Sequence, residues 1–108
     1  MITMTEVFIP TDRGIKAILA SNIVRIEACS NYSKVYFDNG YPLTVAKVLH
    51  WFEERLEDDC FYRIHKTHIV NRLFVSTISF DDSTITLVNG EQIKISRRRK
   101  DTVRRMLA

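Results

Sequence analysis

The chain has 108 residues, 45% hydrophobic and 27% charged, the balance of a globular protein that folds without disulfide or metal staples. Three glycines and two prolines exclude a fibrous or linker-like chain, and a longest apolar run of four residues, Ala17 to Ala20, excludes a membrane-spanning helix and a secretory signal. The net charge is a mild +3, and two cysteines, Cys29 and Cys60, build no disulfide framework, so the cytoplasm is the expected compartment.

In chain order, short β-type runs dominate. Val7-Phe8-Ile9 leads to a turn at Asp12-Arg13-Gly14, followed by runs over Ile15–Ala20 and Ile23–Cys29. Ser33–Asp38 alternates and ends in Asn39-Gly40, a strong hairpin signal. Apolar residues at Val45, Val48, Leu49, Phe52 and Leu56 then fall at helical spacing, which predicts a helix over about residues 45–57 with Thr44 as its N-cap. Leu73–Phe80 reads as another β run before the turn Asp81-Asp82-Ser83. Ile85 and Leu87 precede a second Asn-Gly turn at Asn89-Gly90, and Ile93 and Ile95 alternate behind it. The stretch Arg97–Leu107 predicts a second helix, capped by Ser96, with Val103, Met106 and Leu107 as its apolar stripe. No linker or repeat splits the chain, so residues 1–108 read as a single domain with a core over about 7–107. The expected fold is mainly β, with small antiparallel sheets in a sandwich-like arrangement and one or two short helices.

Charge is unevenly spread. Residues 91–108 hold seven Lys/Arg against Glu91 and Asp101, whereas the first 90 residues are slightly acidic. The sequence Ser96-Arg97-Arg98-Arg99-Lys100 crowds four cations at the expected start of the last helix, where the peptide dipole is already positive. Each exposed cation there is unfavourable by about 0.3–1 kcal/mol, so the arrangement makes sense when an anion completes it. Nucleic-acid phosphate is the common anion that demands so much charge, and arginine also reads guanine bidentately.

Two further stretches carry candidate contacts. FYRIHKTHIVN (Phe61–Asn71) sets Arg63, His65, Lys66, His68 and Asn71 among apolar residues, so polar groups sit on a chain anchored in the core. EACSNYSKV (Glu27–Val35) joins two β runs through Ser30, Asn31, Tyr32, Ser33 and Lys34, residue types suited to phosphate or base edges.

The run IVRIEACSNYSKVYFDNG, a helix, FYRIHKTHIVN and VNGEQIKISRRRK, in this order and spacing, resembles the LytTR-type DNA-binding domain over about residues 7–107. The resemblance implies small antiparallel sheets and sequence-specific binding of duplex DNA by a transcription regulator, usually at promoter direct repeats. Loops and helix ends would reach the major groove. It places base contacts near Ser33 and at Lys66 and Arg98, and backbone contacts at Lys34, Arg97, Arg99 and Lys100, to which the loop residues Asn31 and Tyr32 add further candidate backbone contacts. His65, Asn71 and Ser96 would support the site. It also implies either a stand-alone regulator or the output piece of a two-component response regulator, with a second copy on an adjacent repeat.

The competing readings are weaker. Cys60, His65 and His68 lack a fourth metal ligand, and in an extended segment His65 and His68 would face opposite ways, so no metal or other cofactor is expected. A redox-sensitive pairing of Cys29 with Cys60 is a minor alternative. No phosphate loop or nucleophile elbow occurs, and the paired carboxylates suit a solvated face, so no enzyme is expected. The remaining class is an interaction module whose basic end binds an acidic partner.

Overall fold

The computed structural model describes residues 5–56 and 60–107, for Leu107 the backbone only. Among the described residues ten strands form three antiparallel sheets. The first sheet pairs β1 (Glu6–Thr11) with β2 (Gly14–Leu19). The second is central and five-stranded: β3 (Ile23–Cys29), β4 (Tyr32–Phe37), β5 (Leu43–Val45), β6 (Phe61–His65) and β7 (His68–Asn71), in the order β5-β4-β3-β7-β6. The third holds β8 (Val75–Ser79), β9 (Thr84–Leu87) and β10 (Gln92–Lys94). The described residues also form two short α-helices, α1 (Leu49–Glu53) and α2 (Lys100–Leu107).

The central sheet is apolar on both faces, and each face has its own core. On one, Ile23, Ile26, Val35, Val45 and Ile69 pack against Val7, Ile9 and Ile18 of the first sheet and Leu49 and Phe52 of α1. On the other, Val24, Tyr62, Ile64 and Val70 pack against Ile85, Leu87, Ile93 and Ile95 of the third sheet and Val103 of α2. A strand buried on both faces cannot alternate apolar with polar. Ile23, Val24 and Ile26 are all buried in β3, with a register irregularity between Ile23 and Arg25. The small antiparallel sheets and two short helices agree with the expected fold class.

Three local expectations need correction. The helix over 45–57 is shorter: Val45 ends β5, paired with Ser33, and α1 begins only at Leu49 after an extended Val48. Thr44 lies in β5 opposite Lys34 and caps nothing. A strand followed by a turn of helix feeds the same core as one longer helix would, so apolar spacing alone does not separate them. Glu57 lies outside the described residues. The predicted second helix starts as a 3-10 turn over Arg97–Arg99 before α2. Ser96 occupies the cap position, but its hydroxyl makes no capping bond; its carbonyl accepts from the Arg99 N–H instead, closing a tight turn. Finally, FYRIHKTHIVN folds as a hairpin. Its turn at Lys66-Thr67 pairs His65 with His68 and turns both rings to Thr67, rather than to opposite faces.

The pairing registers also separate the two cysteines. Cys29 ends β3 near the β6–β7 turn, whereas Cys60 precedes β6 and its carbonyl accepts from the Arg72 N–H, at the opposite end. Six residues of strand, about 20 Å, lie between them, too far for a disulfide. No helix among the described residues is long and apolar enough to cross a membrane.

Candidate nucleic-acid interface

Antiparallel pairing brings distant segments to one end of the central sheet. The β3–β4 turn, Ser30-Asn31, lies beside the β6–β7 turn, Lys66-Thr67, and the Ala28 N–H donates to the Thr67 carbonyl at 2.8 Å. The segment after β5 ends there too, since Ser33 reaches the Lys47 carbonyl. On the outer side of β6 the Ser96 N–H donates to the Ile64 carbonyl at 2.8 Å, which sets the 3-10 turn Arg97–Arg99 next to the same hairpin. Stretches 30–34, 65–67 and 97–100 thus share one surface, although more than sixty residues separate the first from the last.

Arg97 and Arg98 are exposed there, and Arg99 and Lys100 are half-buried. Among the described residues none of the four pairs with a carboxylate; the nearest acidic side chain of α2, Asp101, faces Arg104 at 3.9 Å. Arg99 makes only a long contact, 3.5 Å, from Nη1 to the Arg63 carbonyl. Burial of Val103 in the second core holds the start of α2, and with it these cations, against β6. The positive end is therefore uncompensated within the described molecule.

Lys66 is exposed at the hairpin crest, on a tightly bonded turn. The Thr67 N–H donates to His65 Nδ1 at 3.2 Å, and the Thr67 hydroxyl lies 2.8 Å from the same nitrogen and 2.9 Å from His68 Nδ1. One hydroxyl proton cannot serve both rings. His65 Nδ1 already accepts from the backbone, so it takes the hydroxyl proton as well, and His68 Nδ1–H donates to the oxygen. The His65 ring proton then sits on Nε2. Burial pushes the His68 imidazole below its ordinary value of 6.5, opposed by the Glu27 carboxylate and helped by Arg25 and His65. Asn71, at the far end of the hairpin, is buried; its amide donates to the Ile23 carbonyl and its oxygen accepts from the Leu73 N–H.

Ser33 requires a correction. Its side chain is 0% exposed, and its hydroxyl donates to the Lys47 carbonyl at 2.6 Å. It is the second residue of β4, and strand alternation turns it inward while Tyr32 and Asn31 stay exposed. The serine therefore holds the segment before α1 and presents nothing to a base. Lys34, further along β4, is half-buried.

Three residues matter more than the sequence reading allowed. Arg63, grouped with the outward donors, turns inward and bonds Glu53 and two carbonyls of its own turn. Glu53 is that partner on α1. Arg25 is buried, paired with Glu27 at 2.8 Å and Glu91 at 2.9 Å, and stacked on Tyr36 at 3.8 Å. A charged residue flanked by apolar ones in a central strand was the available signal for Arg25. Among the described residues no group of three His, Cys, Asp or Glu is placed to hold a metal.

With this geometry in view, comparison with known proteins is decisive. The model of the LytTr DNA-binding domain family matches residues 13–108. The chain belongs to that family. Among solved structures, a LytTr DNA-binding domain of a putative methyl-accepting/DNA response regulator from Bacillus cereus is similar, with a TM-score of 0.82 and 27% identity over 98% of this chain and 99% of that one. No curated protein matches. This LytTr domain is a DNA-binding unit of the transcription-regulator type, and its described sheets and helices follow the family fold.

Proposed function

We propose that this LytTr domain binds duplex DNA sequence-specifically through the sheet end just described, entering the major groove with Lys66 and Arg98. Arg97, Arg99, Lys100 and Lys34 contact phosphates, with Asn31 and Tyr32 at the β3–β4 crest. The observation that carries the reading is the convergence of Lys66 and the Arg97–Arg99 turn, which pairs with no carboxylate among the described residues, on one surface anchored to β6. Phosphate contacts supply affinity and position, and base-edge contacts supply choice. Arg98 suits guanine, whose O6 and N7 match a guanidinium fork. With Ser33 turned inward, Asn31 and Tyr32 are exposed side chains that the neighbouring crest offers beside Lys66. Four strands, β4 to β6, separate the outermost contacts by about 15 Å, so one domain covers a short half-site. A promoter direct repeat occupied by two copies, in the cytoplasm, completes the reading.

Selection of bound sites from a random duplex pool tests it. The expected result is an enriched short motif, recurring at fixed spacing where two copies bind. Binding to random duplex should fall steeply with salt, and Lys100→Ala should weaken all duplexes alike and lower the salt slope by about one. No enrichment together with salt-insensitive binding would refute the proposal.

A further inference from the structure

We infer that Arg63 is a positioning residue for sequence choice: without touching DNA, it fixes the backbone on which Lys66 is presented. The inference rests on the DNA-binding reading above and deepens it. Arg63 lies on β6 with its side chain 18% exposed, too enclosed to serve as a phosphate clamp. Its Nε donates to the His65 carbonyl at 3.0 Å and its Nη2 to the Lys66 carbonyl at 2.6 Å. Its Nη1 donates to the Glu53 carboxylate of α1.

These acceptors have a specific geometric consequence. The His65 carbonyl belongs to the peptide plane before the Lys66 Cα, and the Lys66 carbonyl belongs to the plane after it. Peptide units are planar, so holding both carbonyls fixes both backbone torsions of Lys66. Only its side-chain torsions remain free to search for a base edge. Glu53 fixes the guanidinium in turn: a planar fork with one nitrogen held by a carboxylate has little freedom left to rotate. The charge on Arg63 is thereby neutralised inside the protein, and its role is orientation. A neutral donor would hold the carbonyls less tightly. A lysine would keep the charge toward Glu53 but is a point donor that cannot span both carbonyls in the same plane.

The test compares wild type, Arg63→Lys, Lys66→Ala and the double variant, each titrated with the duplex selected from the random pool and with random duplex. Arg63→Lys should weaken the selected duplex about tenfold and random duplex less than about twofold, since a tenfold change corresponds to one lost charge-assisted bond. In the Arg63→Lys background, Lys66→Ala should cost less than in wild type, because the two residues act as one unit. The Thr67 amide should exchange with solvent faster in Arg63→Lys while the melting transition stays cooperative. Where Arg63→Lys fails to fold, Glu53→Gln serves in its place and should produce the same selective loss at about threefold. Parallel weakening of both duplexes, or additive effects of Arg63→Lys and Lys66→Ala, in a chain whose wild type still discriminates sequences, overturns the positioning role alone. A wild type that does not discriminate sequences refutes the proposed function, and the positioning role with it.

Discussion

At the scale of single residues, exposure divides the basic side chains into two kinds. Among the described residues Arg97 and Arg98 pair with no carboxylate, whereas Arg25 and Arg63 are committed within the fold. On the proposed reading Arg98 contacts a base edge, so Arg98→Ala should cost about 1–3 kcal/mol on the selected duplex and far less on random duplex. Competition titration of both duplexes measures the difference, and equal losses would remove the base-reading role. His68 makes a prediction of a different type. Its folded value lies below 6.5, so the unfolded chain takes the proton more readily. Stability from this residue is complete above 6.5 and is lost as pH falls below that value toward the lower folded one. Urea midpoints should therefore drop as pH falls below 6.5, and His68→Gln should flatten that slope. The sequence showed where these cations and histidines lie along the chain. It did not show which were internally paired, because Glu53, Glu27 and Glu91 reach their arginines through tertiary packing.

At the scale of elements, turns and strands were legible wherever local chemistry specifies them. Asn89-Gly90 and Asp12-Arg13-Gly14 mark real turns, and positive φ at Gly14 and Gly90 explains why glycine stands there. The Lys66-Thr67 turn carries no such signature, since neither residue needs a left-handed backbone, and the hairpin passed as a single extended segment. Apolar spacing merges the end of β5 with α1 for a related reason: Val45 pairs in a strand, and no local feature announces the pairing. Ser33 joins these elements. Replacing it by alanine removes the donor from the Lys47 carbonyl and should destabilise the domain by about 1–3 kcal/mol, read by chemical denaturation. Were the change neutral, the hydroxyl bond would not be what holds the segment before α1.

At the scale of the whole molecule, Arg25 links the central sheet to the third one. Its guanidinium bonds Glu27 on its own strand and Glu91 beside β10, with Tyr36 beneath it. That arrangement secures the strand leading to Arg97–Arg99 against the sheet carrying Lys66, so the two arms of the surface keep their relative placement. Arg25→Met should lower stability by about 1–3 kcal/mol by leaving two carboxylates without their partner. Calorimetry should show the loss. The Arg25 hydrogen bond also holds the Glu91 carboxyl below the usual carboxylate range, with burial opposing and Asn89 assisting. The stabilising share of Glu91 is accordingly present above about 4.5 and fades as pH falls through its lower folded value.

Composition, β-type runs and the basic stretch around the start of α2 were enough, on sequence alone, to specify a mainly β fold and an end crowded with cations, because these depend on local periodicity and charge. Which side chains make up that end was decided only by the antiparallel registers. They carry the crests of two turns and the Arg97–Arg99 turn to one edge, bury Ser33, and turn Arg63 inward. Register depends on contacts between residues far apart in the chain, and no local pattern encodes it.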